Sequence, residues 1–301
     1  MPQIFVYSDK YCCDIGKHVF PVEKYHLLKE KLIAEKYAKE SDFVEPKPVN
    51  YEELLLVHSK EYLNDFLNLK WTHKTMTSEL PLTLEIAELF KLSVGGTILA
   101  SDIVLKHKIG FHIGGGWHHS FPDYAEGFCY IHDVAIAIKK LLRDKKVKRI
   151  ATMDCDLHQG NGTAYIFSNI AEVFTFSIHQ ENLYPVKQKS NLDIGLDDYT
   201  GDKIYLEKLE GAVDKIFSEF KPEFIFYIAG ADPYENDQLG LLKLTIEGLK
   251  KRDEIILKKC WKEKIPVVVT LAGGYAINTN DTVTIHYNTA LTSIELLNLQ
   301  N

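Results

Sequence analysis

Apolar runs alternate with amphipathic segments along the chain, and this alternation predicts its elements. The runs that predict strands cover residues 4–7, 110–113, 149–153, 172–178, 223–228 and 266–271. Apolar positions at helical spacing predict helices over residues 22–39, 84–106, 134–142, 203–220, 245–262 and 283–297, with shorter helical pieces over 51–69. Strands this uniformly apolar, separated by helices, indicate an α/β fold with a predominantly parallel sheet covered by helices on both faces.

Length and composition favour a single large domain over residues 1–301. The chain has 301 residues, of which 46% are hydrophobic, and this suits one α/β domain better than two small cores. No run reaches the ~18 apolar residues of a membrane span, and the first residues lead into a strand rather than a signal peptide. The five cysteines include no C-x-x-C pair, which argues against a disulfide framework. We therefore expect a cytoplasmic protein.

The net charge of −7 argues against direct nucleic-acid binding, which would require a basic face. The same charge is compatible with a cationic substrate, and surface solubility explains it equally well.

Polar clusters follow four of the predicted strands at their carboxyl ends. Their sequences are GGGWHH at 114–119, DCDLH at 154–158, AGAD at 229–232 and AGGY at 272–275. Ligands of open α/β sheets bind in the crevice outside the carboxyl ends of the strands. We therefore expect the four clusters to form one site.

A metal site is predicted within this crevice. Asp156 and His158 are two positions apart, so both side chains point to the same side of an extended segment. Asp232 arrives from a distant strand as a third ligand, leaving one position open for water, as in catalytic zinc sites. A mixed carboxylate and imidazole shell suits Zn²⁺ best and would also accept Fe²⁺, Mn²⁺ or Co²⁺.

Proton chemistry is predicted beside this metal. His118 and His119 follow a glycine turn, and a histidine base needs a partner on its second ring nitrogen. Asp154 and Asn161 are the candidate partners, and either histidine suits the role of base. Tyr275 offers a phenol to a developing oxyanion.

Taken together, five motifs resemble the zinc-dependent histone deacetylase family of the arginase/deacetylase superfamily. They are GGWHH (115–119), GFCY (127–130), DCDLHQGNG (154–162), GAD (230–232) and GGY (273–275). Asn161 stands where most of these deacetylases have aspartate. Together with HVFP (18–21), DQLG (237–240) and KRDE (251–254), it is most similar to the class IV branch, which is known for removing long fatty acyl groups as well as acetyl.

The resemblance implies a role for each catalytic residue. It implies that Zn²⁺ is held by Asp156, His158 and Asp232. By the same match His119 is the general base, His118 is an electrostatic helper paired to Asp154, and Tyr275 stabilises the oxyanion. Asn161 matches the partner of the base and carries no charge, so we expect a less basic histidine than in other members.

The resemblance also implies a substrate tunnel and structural potassium. The tunnel residues are Gly127, Phe128, Tyr184, Leu239, Gly273 and Gly274. One or two structural K⁺ ions are expected beside Asp154, Asp156, His158, Ser177 and Ile178. The expected ligands are backbone carbonyls near Asp154, Asp156 and His158 and the hydroxyl of Ser177.

The implied activity is hydrolysis of acetyl or longer acyl groups from the Nε of lysine in a peptide or protein. The length of the acyl group, the physiological substrate and the oligomeric state stay open. The alternatives are a deacetylase of acetylpolyamines or other small amines and a non-catalytic acyl-lysine-binding protein. The apolar Leu239 stands where a polyamine enzyme has an acidic gate, and Gly160 stands where a dinuclear ureohydrolase needs a carboxylate.

Overall fold

The strands form one parallel sheet. The structure is a computed structural model that describes residues 4–299; the first three residues, part of the segment on which the absence of a signal peptide is predicted, lie outside that range. The strands are β1 (Phe5–Val6), β2 (Phe43–Val44), β3 (Ile109–His112), β4 (Ile150–Asp154), β5 (Val173–Gln180), β6 (Leu192–Leu196), β7 (Phe224–Ile228) and β8 (Val267–Thr270). They lie in the order β2-β1-β3-β8-β7-β4-β5-β6, and every pairing is parallel. The predicted fold class is confirmed.

Helices occupy most of the connections between the strands. They are α1 (Glu23–Ala34), α2 (Tyr51–Leu54), α3 (Lys60–Leu67), α4 (Leu84–His107), α5 (Asp133–Arg143), α6 (Asn161–Phe167), α7 (Asp202–Lys215), α8 (Ile246–Glu263) and α9 (Thr279–Asn298). Within residues 4–299, no helix is long and apolar enough to cross a membrane.

Two hydrophobic clusters cover the two faces of the sheet, and β7 shows how its residues divide between them. Ile225 and Tyr227 join the cluster that includes residues of α1, α8 and α9. Phe224, Phe226 and Ile228 join the cluster that includes most of the buried residues of α5. Because successive strand residues point to opposite faces, an unbroken apolar strand is the expected result of burial on both sides.

Helix α4 packs closely because of its two central glycines. A Cβ on Gly95 would collide with the backbone carbonyl oxygen of Lys47, and one on Gly96 would collide with the side chains of His112 and Tyr11. Small residues here let the helix approach both the 47–48 segment and the sheet, which offsets their low helix propensity.

Five elements differ from the prediction: three were not predicted, and two helices end earlier than expected. Strand β2 has only two residues, β6 alternates between half-buried and exposed positions at the sheet edge, and α6 spans only seven residues, so none produces a clear periodic signal. Helix α1 ends at Ala34 rather than at residue 39, because Lys36 adopts a left-handed backbone with φ 63°. Helix α7 ends at Lys215, and the rest of its predicted length is a π-helical turn at Ile216–Phe220.

The carboxyl ends of β3, β8, β7 and β4 lie side by side at one edge of the sheet, because these strands are consecutive neighbours. The four polar clusters of the sequence follow these ends directly. The topology therefore brings segments more than one hundred residues apart in the sequence to one crevice.

Candidate active site

Three buried side chains offer ligand atoms to a metal ion. One atom from each of Asp156, His158 and Asp232 lies within 4.8 Å of the other two. Nδ1 of His158 lies 3.3 Å from Oδ1 of Asp156 and 3.3 Å from Oδ2 of Asp232, so it is the ring nitrogen that faces the carboxylates.

Backbone amides hold the two carboxylates in place. Asp156 Oδ1 accepts a hydrogen bond from the backbone N–H of His158, and Oδ2 accepts one from Gly273, both at 2.9 Å. Asp232 Oδ1 accepts one from Leu157 at 2.9 Å. Asp232 Oδ2 is buried and, among the described residues 4–299, has no hydrogen-bond partner and pairs with His158. A buried carboxylate oxygen without a hydrogen bond is costly, and a bound cation would satisfy it.

The charges of the cluster fit a divalent cation. Burial and the neighbouring charge of Asp156 raise the pKa of Asp232 to about 6. Burial lowers the pKa of His158, but Asp156 and Asp232 outweigh it and raise the value to about 10. Two carboxylates thus concentrate negative charge at one imidazole nitrogen, and this donor set fits Zn²⁺.

The two adjacent histidines have different partners. His118 Nδ1 lies 2.7 Å from Asp154 Oδ2, and His119 Nδ1 lies 2.8 Å from Asn161 Oδ1. The backbone brings the pair to α6 because Gly162 has no side chain: a Cβ there would lie 2.8 Å from the carbonyl oxygen of His118.

The two histidines differ in charge at neutral pH. Burial lowers the pKa of His118, but the charges of Asp154 and Asp156 raise it to about 9, so this ring is protonated at neutral pH. The pKa of His119 lies well below its ordinary value because of burial first, and then because of the nearby charges of His118 and His158. His119 is therefore neutral. The contact with Asn161 itself opposes this lowering of the pKa, so the expectation that Asn161 makes this histidine less basic than in other members stays a prediction.

A cavity of about 210 Å³ leads to this cluster. The structure places four predicted tunnel residues along it, Gly127, Phe128, Tyr184 and Leu239, together with His119, His158 and Tyr275. Phe128 packs against Tyr275 with ring centroids 5.9 Å apart, and the Tyr184 ring lies 5.5 Å from that of His119. Aromatic walls therefore surround a narrow passage that ends at the polar groups.

The last two predicted tunnel residues do not line this cavity. A Cβ on Gly273 would collide with Oδ2 of Asp232, and a Cβ on Gly274 would lie 2.9 Å from that of Ala231. Gly273 therefore leaves room for the carboxylates of Asp156 and Asp232, while Gly274 packs closely against Ala231 and Thr282.

The predicted potassium residues lie together around the end of β4. Asp154 is the register partner of Ser177 on β5, and Asp156 and His158 follow in the adjoining loop. Ile178 is the next residue of β5, and the Ser177 hydroxyl lies 2.9 Å from Nδ1 of His179.

Several residues near the site are absent from the sequence-based set. Glu79 and Leu183 line the cavity.

Lys24 of α1 is buried, donates from Nζ to the carbonyl oxygen of Ala272 at 2.6 Å, and has its pKa lowered to about 8 by burial. Glu126 accepts hydrogen bonds from Asn161 and Tyr184. Nothing in the sequence indicates that these residues lie near the site, because a lysine in an amphipathic helix and a glutamate in a loop are ordinarily exposed.

The comparisons with known proteins agree with this fold. Residues 18–291 match the family model described as the histone deacetylase domain. An uncharacterized protein of Picosynechococcus is 36% identical over 93% of this chain and 95% of its own length. Histone deacetylase 2 of Arabidopsis thaliana is 30% identical over 86% of this chain and 70% of its own length. The crystal structure of a histone deacetylase homologue complexed with SAHA superposes with a TM-score of 0.82 at 23% identity, covering 99% of this chain and 89% of the other.

The family follows from these matches. The chain belongs to the histone deacetylase family, whose members are zinc-dependent hydrolases in general. Membership supports a deacetylase activity, while the class IV branch stays a prediction.

Proposed function

We propose that the protein is a zinc-dependent lysine deacylase that hydrolyses the Nε-acyl amide of lysine in a peptide or protein. The observation that carries the proposal is the meeting of three groups at the inner end of one aromatic passage. These groups are the buried Asp156–His158–Asp232 cluster, the neutral His119 and the phenol of Tyr275. Such a passage suits a long side chain that delivers one amide to the metal cluster.

Asp156, His158 and Asp232 are the proposed zinc ligands. A zinc ion held there would polarise the amide carbonyl and lower the pKa of the attacking water.

His119 is the proposed base. Its Nδ1 is engaged with Asn161, so Nε2 is the nitrogen left to take a proton from water as the oxygen attacks the carbonyl carbon. The same nitrogen then returns the proton to the lysine amine when the C–N bond breaks. One water is consumed, and a carboxylate and an amine are released.

Tyr275 and His118 are the proposed electrostatic partners. Burial keeps the pKa of Tyr275 well above its ordinary value, so the phenol retains its proton and donates a hydrogen bond to the developing oxyanion. His118 carries positive charge beside Asp154, with Nε2 3.7 Å from Asp156 Oδ1.

We also propose a structural K⁺ ion at the end of β4, coordinated by carbonyls of Asp154, Asp156 and His158 and by Ser177, with Ile178 adjoining. The support is the resemblance of the chain to the histone deacetylase family and the register pairing of Asp154 on β4 with Ser177 on β5. Replacing K⁺ by Na⁺ in the buffer is expected to lower the melting temperature, and an unchanged value would count against the ion.

A panel of lysine peptides bearing acetyl through long-chain acyl groups, with zinc supplied, tests the activity. Release of the acyl group by the native protein and not by Asp232→Asn is the expected result. Acetylpolyamines belong in the same panel, because cleavage of these alone would identify a small-amine deacetylase instead. A zinc-loaded protein that binds acyl-lysine peptides without cleaving them would identify a binding protein.

A further inference from the structure

A carboxylate lies directly behind the partner of the base histidine. Glu126 Oε1 accepts a hydrogen bond from Asn161 Nδ2 at 3.1 Å and one from the Tyr184 hydroxyl at 3.2 Å. Asn161 Oδ1 in turn lies 2.8 Å from His119 Nδ1. The three side chains therefore form a continuous path of hydrogen bonds from Glu126 to the base.

The path has a defined direction. An ionised carboxylate only accepts hydrogen bonds, so Asn161 must turn its NH₂ group toward Glu126 and its oxygen toward His119. The backbone N–H of Gly162 donates to the same Asn161 oxygen at 3.0 Å and supports this orientation. Because an amide oxygen only accepts, His119 must carry its proton on Nδ1, which leaves the lone pair of Nε2 for the substrate.

The environment of Glu126 leaves its charge available to this path. Within residues 4–299, Glu126 forms no ion pair with a lysine, arginine or histidine within 4.0 Å. Burial raises the pKa of Glu126, while the hydrogen bonds from Asn161 and Tyr184 oppose that rise by stabilising the carboxylate. The two donors therefore offset part of the cost of burying this carboxylate, which has no cation beside it among the described residues.

We propose that Glu126 is a positioning residue for His119 and acts through Asn161. Its carboxylate orients the Asn161 amide and thereby selects the Nδ1–H tautomer of His119. It also supplies, through Asn161 rather than by direct contact, the negative charge that Asn161 lacks. This inference rests on the proposed role of His119 in deacylation and extends it to a residue that does not touch the substrate.

The simplest competing role for Glu126 is to anchor the cavity wall through Tyr184. Tyr184→Phe removes that contact and leaves the one to Asn161 intact. Glu126→Gln keeps an Oε1 that can accept from both donors and removes only the charge. The pair of variants therefore separates anchoring of the wall from the charge behind Asn161.

A double-mutant cycle with Asn161→Asp gives the sharpest test. In the native background, Glu126→Gln is expected to lower kcat/KM about tenfold, the size of loss seen when the partner of an oriented histidine is altered. In the Asn161→Asp background two carboxylates face each other, so the same change should raise kcat/KM or leave it unaltered. Equal losses in both backgrounds, or no loss in the native one, would overturn the proposal.

A measurement without substrate separates this proposal from the proposed function. In the zinc-loaded protein labelled with ¹⁵N-histidine, the imidazole signals identified by their loss in His119→Ala report the tautomer of that ring. We expect the Nδ1–H form in the native protein and in Tyr184→Phe, and a shifted or mixed signal in Glu126→Ala. An unaltered His119 signal in Glu126→Ala refutes the positioning role even in an active enzyme. Absence of deacylation with the expected NMR result refutes only the proposed function.

Discussion

Among the individual residues, Asp232 offers the most direct test of the proposed zinc site. One oxygen is held by the amide of Leu157, and the other faces His158 without a hydrogen bond. Asp232→Asn keeps the first contact and removes the charge that a cation requires. We expect the affinity of the protein for zinc to fall at least about 100-fold. Mutating a residue that merely hydrogen-bonds to a metal ligand already lowers metal affinity roughly 10–100-fold. Metal analysis after dialysis, together with peptide turnover, measures this; full zinc occupancy would rule out Asp232 as a ligand.

Tyr275 provides the matched comparison, because its proposed role does not involve holding the metal. Its ring packs on Phe20 and Phe128, which Phe at position 275 would preserve. We expect Tyr275→Phe to lower kcat by roughly 10²–10³-fold, the usual cost of losing one oxyanion donor, and to retain zinc. Steady-state kinetics and metal analysis on the same sample test this prediction. A kcat equal to that of the native protein would show that Tyr275 does not stabilise the oxyanion.

Among the elements, α4 shows how packing overrides local propensity. Gly95 lies in the interior of this helix, where alanine is the better helix former, yet a Cβ would collide with the backbone of Lys47. We expect Gly95→Ala to lower the free energy of unfolding by about 1–3 kcal/mol through overpacking.

The control for this substitution lies in α7. A Cβ on Gly211 meets no atom within 4 Å, so Gly211→Ala should raise the free energy of unfolding by about 0.5–1 kcal/mol through helix propensity alone. Urea unfolding of both variants measures the difference. A gain in stability for Gly95→Ala would show that the 47–48 segment moves aside.

For the whole molecule, stability depends on buried neutral histidines such as His58. His58 Nδ1 faces the carbonyl oxygen of Phe121 at 3.1 Å, and Nε2 accepts from the backbone N–H of His132 at 3.0 Å. Both ring nitrogens are used by the neutral form, and protonation of Nε2 would break the second bond. Burial accordingly lowers the pKa of His58 from 6.5 to about 4.

This shift predicts a loss of stability in acid. Between pH 6.5 and about 4 the unfolded chain binds a proton at His58 that the folded protein excludes, so the free energy of unfolding falls as the pH falls. From about pH 7 to about pH 5 the contribution is about 2 kcal/mol. His58→Gln does not titrate, so its stability should fall by that much less over the same interval. Urea unfolding at both pH values measures this, and identical pH dependence in the two proteins would contradict it.

Local pattern was sufficient for the class of fold and for the place of the site. Largely apolar strands of four or five residues at β4, β7 and β8 are buried on both faces, and the polar motifs follow their carboxyl ends. These features are local, because strand periodicity and a D-x-H spacing depend only on neighbouring residues. The alternating elements then restrict the sheet to a parallel arrangement, which brings the motifs to one edge.

Tertiary structure decided which groups meet. The residues alone left open whether Asp154 or Asn161 serves each histidine, and strand order together with the approach of α6 pairs His118 with Asp154 and His119 with Asn161. The same approach places Glu126 behind Asn161, and packing buries Lys24 against the carbonyl oxygen of Ala272. Such contacts join segments tens to hundreds of residues apart, so their distances follow from packing and from no local pattern.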